Sequence, residues 1–276
     1  MTERVTAGLL GQGLPANLNA ELGATKGAVF SEKRFRRINA RRAFLVRARI
    51  EKIDLSLGDL SGADLRGATL EDVIADNARF EGCSFSDNMD SKGTDLAKQD
   101  AGKAHSAWFV KCHFKGTRFV RANICFVPIN TSNFHQANLA FANCVGSQFF
   151  SCDLTSSTFV RAHLNYAQFV SIYPLGTNEI VDFREADCSN AKFRDSILRG
   201  AIFVSAILDH AKFERVDLAN ADFTNASLQE TDLLKSTGLK EMQLRKAKKL
   251  YHAKLPEQPE NLATILAKEV ATPLSP

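Results

Sequence analysis

Six cysteines and six histidines are the first residues in this 276-residue chain that could hold a metal or pair as nucleophile and base. The cysteines are Cys83, Cys112, Cys125, Cys144, Cys152 and Cys188. No two form a Cys-x-x-Cys pair, and no histidine completes a metal-ligand spacing. The histidines, His105, His113, His135, His163, His210 and His252, are scattered along the chain. No Gly-x-Ser-x-Gly, His-Glu-x-x-His, P-loop or Gly-x-Gly-x-x-Gly pattern occurs. Carboxylates such as Asp64, Asp187 and Asp222 recur in one fixed local setting, which suits bonding to backbone at bends better than acid–base work. The reading therefore assigns no catalytic residue, no metal site and no cofactor.

One stretch carries concentrated charge. Lys33, Arg34, Arg36, Arg37, Arg41, Arg42, Arg47 and Arg49 fall within 17 residues with no acid between them. Two readings stand: a solvated surface over one end of the fold, or an anion-binding patch for nucleic acid, acidic protein or membrane headgroups. The formal net charge of +4 is too small to define a nucleic-acid binder without such clustering.

The elements that position these residues follow from composition and period. Apolar residues make up 45% and charged residues 24%, which places the chain among folded proteins. Phe occurs 20 times against three Tyr and one Trp, so aromatic mass sits in the residue suited to a dry interior. No apolar run approaches the ~18 residues of a transmembrane helix. The start of the chain lacks the continuous apolar stretch of a signal peptide. The expected compartment is the reducing cytoplasm, although export by other signals leaves no such trace.

A large apolar residue recurs at every fifth position. One run reads Phe30, Phe35, Ala40, Leu45, Ile50, Leu55, Leu60, Leu65, Leu70, Ala75, Phe80, Phe85. A second, in a shifted register, runs from Phe109 through Phe149 to Phe169. A third runs from Phe183 through Phe193, Phe203, Phe213 and Phe223 to Leu233. Two residues before most centres stands a small one, as at Ala63, Ala142 and Ala211. A period of five is neither helical nor strand-like, so it demands a chain that bends at fixed intervals. The bends turn the large centre and the small residue inward, where the two sizes pack closely. A single coil cannot bury its inner face, so coils must stack.

Units such as Ala63–Gly67 (ADLRG) and Ala221–Asn225 (ADFTN) resemble the pentapeptide-repeat family, whose consensus is A(D/N)Lxx. The resemblance covers about three quarters of the chain, roughly residues 30 to 233. It implies an all-β fold, a right-handed quadrilateral parallel β-helix with four repeats per coil. Residues 20 apart then stack: Phe109 with Phe149 and Phe169 through Ile129, Phe183 with Phe203 and Phe223, and Phe193 with Phe213. About nine coils at ~4.8 Å make a rod of about 43 Å. Cys83, Cys112 and Cys152 take the small inward position, Cys144 and Cys188 the centre, and Cys125 alone is expected to face outward. All are expected to behave as small hydrophobes.

The expected organisation is a flexible arm over 1–28, the β-helix over 29–233, and a helical cap with a tail over 234–276. Two stretches break the register, near 86–106 and 170–180. Each reads either as an irregular or inserted coil segment or as a loop projecting toward a partner; Leu96 and Ala101 leave a degenerate coil open in the first. Gly238–Tyr251 suits a short basic amphipathic helix closing the C-terminal end, and Asn261–Val270 a second helix able to dock or dimerise. The leading functional expectation is a non-enzymatic scaffold binding another protein. The alternative is an anionic surface, nucleic acid or membrane, bound through Arg34, Arg36, Arg37, Arg41, Arg42, Arg47 and Arg49. Some members of the resembled family protect DNA gyrase or related topoisomerases by resembling DNA. The middle run argues against that mode, with Lys111, Lys115, Arg118, Arg121 and Arg161 against one acid, Asp153.

The register makes a stability prediction. Phe203→Ala is expected to cost about 3–5 kcal/mol by emptying an interior layer, whereas Arg199→Ala, at an outward position, is expected to cost little. Denaturant unfolding of both variants checks this; equal effects would contradict the register.

Overall fold

The computed structural model describes residues 29–31, 34–86, 106–173 and 180–256. They wind into a parallel β-solenoid of about nine turns. One face is a continuous ten-stranded parallel sheet in chain order. Its strands are β1 (Val29–Ser31), β2 (Arg49–Glu51), β3 (Thr69–Glu71), β4 (Trp108–Val110), β5 (Pro128–Asn130), β6 (Gln148–Phe150), β7 (Gln168–Val170), β8 (Lys192–Ile197), β9 (Lys212–Asp217) and β10 (Asp232–Thr237). The other three faces join coil to coil mainly through single parallel bridges, such as Asn138↔Thr158 and Asn143↔His163.

The centres form inward columns. Ile50 pairs with Leu70, Leu70 with Phe109, Phe109 with Ile129, Ile129 with Phe149, Phe149 with Phe169, Phe169 with Phe193, and Phe193 with Phe213. The three runs thus share one column on the sheet face. Along it, Phe149 and Phe169 stack at 5.0 Å and 1°, and Phe193 and Phe213 at 4.7 Å and 6°. A second column holds Phe183, Phe203 and Phe223 at 4.9 and 5.3 Å, each pair 3° from parallel. Rings of the two columns meet edge-on, Phe193 and Phe203 at 85°. Perpendicular rings follow from faces at right angles; the stacking distance follows from strand spacing. The small inward residues fill the space beside the rings, with Ala63, Ala142 and Ala211 wholly buried. Where a hydroxyl replaces Ala it bonds a backbone carbonyl, as Thr117 Oγ1 does to Ala75 O at 2.6 Å.

Each bend has two local causes. The centre's carbonyl accepts the N–H of the small residue three positions on, as Ala43 N to Ala40 O at 3.1 Å. The residue two positions after the centre stands in the left-handed region, as at Arg42 (φ 56) and Asn225 (φ 58). The residue before the centre completes the bend when it is Asp or Asn. Its Oδ1 accepts the N–H two residues on: Arg66 to Asp64 at 3.3 Å, Ser189 to Asp187 at 3.1 Å, Thr224 to Asp222 at 3.0 Å.

The interruptions lengthen two of the coils. Paired centres are 20 residues apart from Ile50 to Leu70, but 39 apart from Leu70 to Phe109 and 24 apart from Phe169 to Phe193. β3 bonds β4 directly across the first of these jumps. Leu96 and Ala101, the arm over 1–28, Lys33, residues 174–179 and the second helix over Asn261–Val270 lie outside the described residues.

The C-terminal end differs from expectation. Helix α1 spans only Glu241–Leu244. Gln243 Nε2 donates to Leu218 O at 3.0 Å and Ala221 O at 2.8 Å, capping carbonyls of the last complete coil. The chain then resumes the coil: Leu250 and Leu255 are buried, and Leu228 N and Leu233 N donate to Lys249 O and Lys254 O. Inward leucines five residues apart outcompete the helical pattern read over Gly238–Tyr251, because the open end of the column offers them burial.

Two glycines separate backbone strain from crowding. Gly82 (φ +63) has nothing within 4 Å of where a Cβ would sit, while at Gly146 (φ +64) that atom would lie 2.4 Å from Phe126 Cε1. Gly82→Ala is expected to cost about 1 kcal/mol from the left-handed backbone alone, and Gly146→Ala distinctly more. Equal losses on chemical denaturation would show that the Phe126 ring gives way freely.

Candidate binding surfaces

The cysteines offer no reactive site. All six are free and buried. Burial pushes the thiols of Cys83, Cys112, Cys125 and Cys152 up to about 12, and those of Cys144 and Cys188 well above the usual range. Cys125 corrects the expectation of an outward thiol. It follows a centre, yet it is 1% exposed and its Sγ reaches Asn143 O at 3.7 Å. Ser106 Oγ meets its carbonyl at 3.5 Å, and Val145 occupies the same position one coil on and is also buried. Coils about 4.8 Å apart leave small stacked side chains no water between them.

Five histidines lie at outward positions of the described residues, and His105 is not among these residues. His210 Nδ1 lies 3.3 Å from Glu230. No group of three or more His, Cys, Asp or Glu that could hold a metal ion occurs among the described residues. None of their helices is long and apolar enough to cross a membrane.

The Arg-rich segment becomes a collar around the first coil, not a patch on one face. Arg34, Arg36, Arg37, Arg41, Arg42, Arg47 and Arg49 are all exposed. Arg37, Arg42 and Arg47 occupy three corners in the left-handed region, and Lys52 (φ 50), unremarked in the sequence, takes the fourth. Arg36 pairs with Asp54 at 3.7 Å, Arg41 with Asp59 at 3.1 Å, and Arg49 with Glu51. Burial pushes the Asp54 and Asp59 carboxyls up. Hydrogen bonds from Ser56 and Ser61, with the arginines, more than offset it and hold both below the usual range. Arg37, Arg42 and Arg47 have no ion pair among the described residues, so three of the collar's corners carry uncompensated charge.

A second surface lies on the middle coils. The sheet face of β4 to β7 presents Trp108, Val110, Pro128, Asn130, Gln148, Phe150, Gln168 and Val170, without one charged residue. Trp108 is 53% exposed. The corners beside this face add Phe126 and Tyr166, and the next corner Phe141. The flanking strands are charged: Arg215 bonds Asp195 at 2.6 Å and Glu214 at 2.7 Å, and Lys235 reaches Glu214 at 3.4 Å. The sequence reading passed over this surface because outward positions have no period. Its signal is nonetheless there, since Phe126, Phe141 and Phe150 stand outside the centre positions.

A rod wound from a five-residue unit, dry within and presenting only outward side chains, is a repeat-built solenoid whose chemistry is that of its surface. A family model for pentapeptide repeats matches in eight copies, over residues 58–87, 132–169, 182–218 and 201–237. The chain belongs to the pentapeptide-repeat family. No curated protein matches it. Among solved structures it is similar to HetL, a pentapeptide repeat protein involved in heterocyst differentiation regulation from the cyanobacterium Nostoc sp. strain PCC 7120. The identity is 19% and the TM-score 0.34, over 80% of this chain and 88% of that one. It is similar also to full-length QnrB1, a plasmid-mediated fluoroquinolone resistance protein, at 14% identity and TM-score 0.31, over 88% of this chain and 100% of that one. A third is Rfr23 from the cyanobacterium Cyanothece 51142, at 15% identity and TM-score 0.24, over 66% and 90%.

The raised thiols predict a pH dependence. A folded-state value near 12 against 9.0 means that burial stabilises fully below about 9, and that this contribution is lost as pH rises through the folded value. Unfolding free energy is expected to fall above about pH 9, with a shallower slope when Cys83, Cys112 and Cys152 are replaced by Ala. Identical slopes from denaturant titrations of the two proteins would contradict it.

Proposed function

We propose that this chain is a non-enzymatic scaffold that binds another protein through its middle coils. The observation that carries the reading is the charge-free face of β4 to β7, with exposed Trp108 beside Pro128 and Phe150 two coils on. Protein interfaces concentrate aromatics and exclude charge at their centres, and a rigid face loses little entropy on binding. Nothing in the fold requires these side chains, because their positions face away from the column.

A second reading rests on the collar. Arg37, Arg42, Arg47 and Lys52 at the four corners of one coil suit an anionic surface, nucleic acid or membrane, met end-on. Mimicry of DNA has less support. The outward carboxylates are largely matched by arginines, as Arg184 with Asp182 at 2.7 Å and Arg199 with Asp217 at 2.6 Å.

The test is affinity capture from native extract with quantitative mass spectrometry, comparing the wild type with Trp108→Ser/Phe150→Ser and with Arg37→Gln/Arg42→Gln/Arg47→Gln. The scaffold reading expects one protein partner, retained by the arginine variant and weakened about 30-fold or more by the aromatic one. Capture indifferent to Trp108 and Phe150 would overturn it. Salt-sensitive binding to duplex DNA or anionic vesicles, lost only in the arginine variant, would replace it with the second reading.

A further inference from the structure

The middle coils have shed their carboxylates at positions where a carboxylate costs the fold nothing. Asn138 Oδ1 accepts the N–H of Ala140 at 2.9 Å, the same bond that Asp59 Oδ1 takes from Ser61, also at 2.9 Å, elsewhere in that column. Asn143 and Asp187 stand in the neighbouring column and do likewise for Val145 at 3.5 Å and Ser189 at 3.1 Å. Asn and Asp are interchangeable acceptors for this bend. The choice between them therefore answers to the surface. Over residues 106–152 the choice is uniform: no Asp or Glu occurs, against Lys111, Lys115, Arg118 and Arg121.

The corner between Asn138 and Asn143 carries an independent mark. Phe141 stands there at φ 59, in the left-handed conformation that the corners of this fold share. Its ring is 43% exposed. The guanidinium carbons of Arg121 and Arg161 each lie 5.8 Å from its centroid. Arg161 is also held by Glu185 at 2.6 Å, where acids reappear, whereas Arg121 has no carboxylate partner among the described residues. An exposed aromatic between two guanidinium groups, one of them without a carboxylate partner among the described residues, is arranged for contact.

We propose that the ridge Arg121–Phe141–Arg161, with Asn138 and Asn143 beside it, docks an acidic protein segment bearing an aromatic or apolar side chain. Removing like charge lowers the repulsion such a segment would meet, and Phe141 supplies the apolar contact. A nucleic acid fits less well. Phosphate recognition needs several cations along one track, and the middle-coil cations are spread over different faces with one free guanidinium on the ridge. The proposal rests on the scaffold reading and specifies its partner's chemistry.

The test is fluorescence anisotropy of the full chain with a labelled random glutamate–tyrosine copolymer as probe, beside polyglutamate and oligothymidylate. Copolymer binding is expected to weaken about tenfold or more between about 50 and 300 mM salt. It is expected to weaken about tenfold in Asn138→Asp/Asn143→Asp at unchanged melting temperature, and comparably in Arg121→Gln and Phe141→Ser. The Arg121 variant, altered at an exposed tip, decides the matter if the double variant melts early. No copolymer binding, binding unmoved by these variants, polyglutamate binding as tightly as the copolymer, or a preference for oligothymidylate would overturn the ridge. Extract capture lost with Trp108→Ser/Phe150→Ser but kept in the ridge variants overturns the ridge alone. Copolymer binding that follows the ridge variants, with no protein captured from extract, supports the ridge while removing the broader reading.

Discussion

Every coil leaves its backbone N–H and C=O groups pointing along the rod, where only another coil can satisfy them. Phe35 N donates to Asp54 O at 2.7 Å and Asp59 N to Ile38 O at 2.8 Å, and this exchange repeats to Lys254. Burial of unpaired backbone is costly, so coils must lie in register and at strand spacing. That spacing then dictates the interior. Rings 4.7 to 5.3 Å apart stack face to face along a column, and the right-angled bend sets adjoining columns edge to face. Backbone bonding and ring stacking share one repeat distance, and neither persists without the other.

This coupling explains what was legible. Inward positions admit a large apolar residue or a small one, so the five-residue period, the stacking partners and the buried cysteines at Cys83, Cys144 and Cys188 could be read directly. The bend carboxylates were legible too, since Asp64, Asp187 and Asp222 recur at one place in the unit. Cys125 was misread because an outward position can still be enclosed by neighbouring coils, which no single repeat reveals. The helix is shorter than Gly238–Tyr251 because Leu250 fits both the helical pattern and the inward column, and the open column decides. The candidate surfaces were least legible. Outward residues obey no period, and only the winding brings Trp108 beside Pro128, or shows that the arginines encircle a coil.

The bend chemistry separates two properties that are usually entangled. A carboxylate or an amide before the centre closes the turn equally well, so surface charge varies along the rod without disturbing the interior. The chain uses that freedom in blocks: arginines around the first coil, neutral and cationic side chains over the middle, and mixed ion pairs such as Arg215 with Asp195 toward the C-terminal end. Sequence similarity among such rods reports the column and says little about the partner, because the two are written at different positions of the unit.

The jump from Leu70 to Phe109 has a consequence for how such molecules grow. Nineteen residues beyond a full turn enter between β3 and β4, and the strands on either side still bond in register. Length is therefore counted only at the inward columns, and the outer margin of a coil is a splice point. A lineage of such rods can lengthen by duplicating whole turns, or acquire foreign sequence between them, while each older turn keeps the neighbours that hold it.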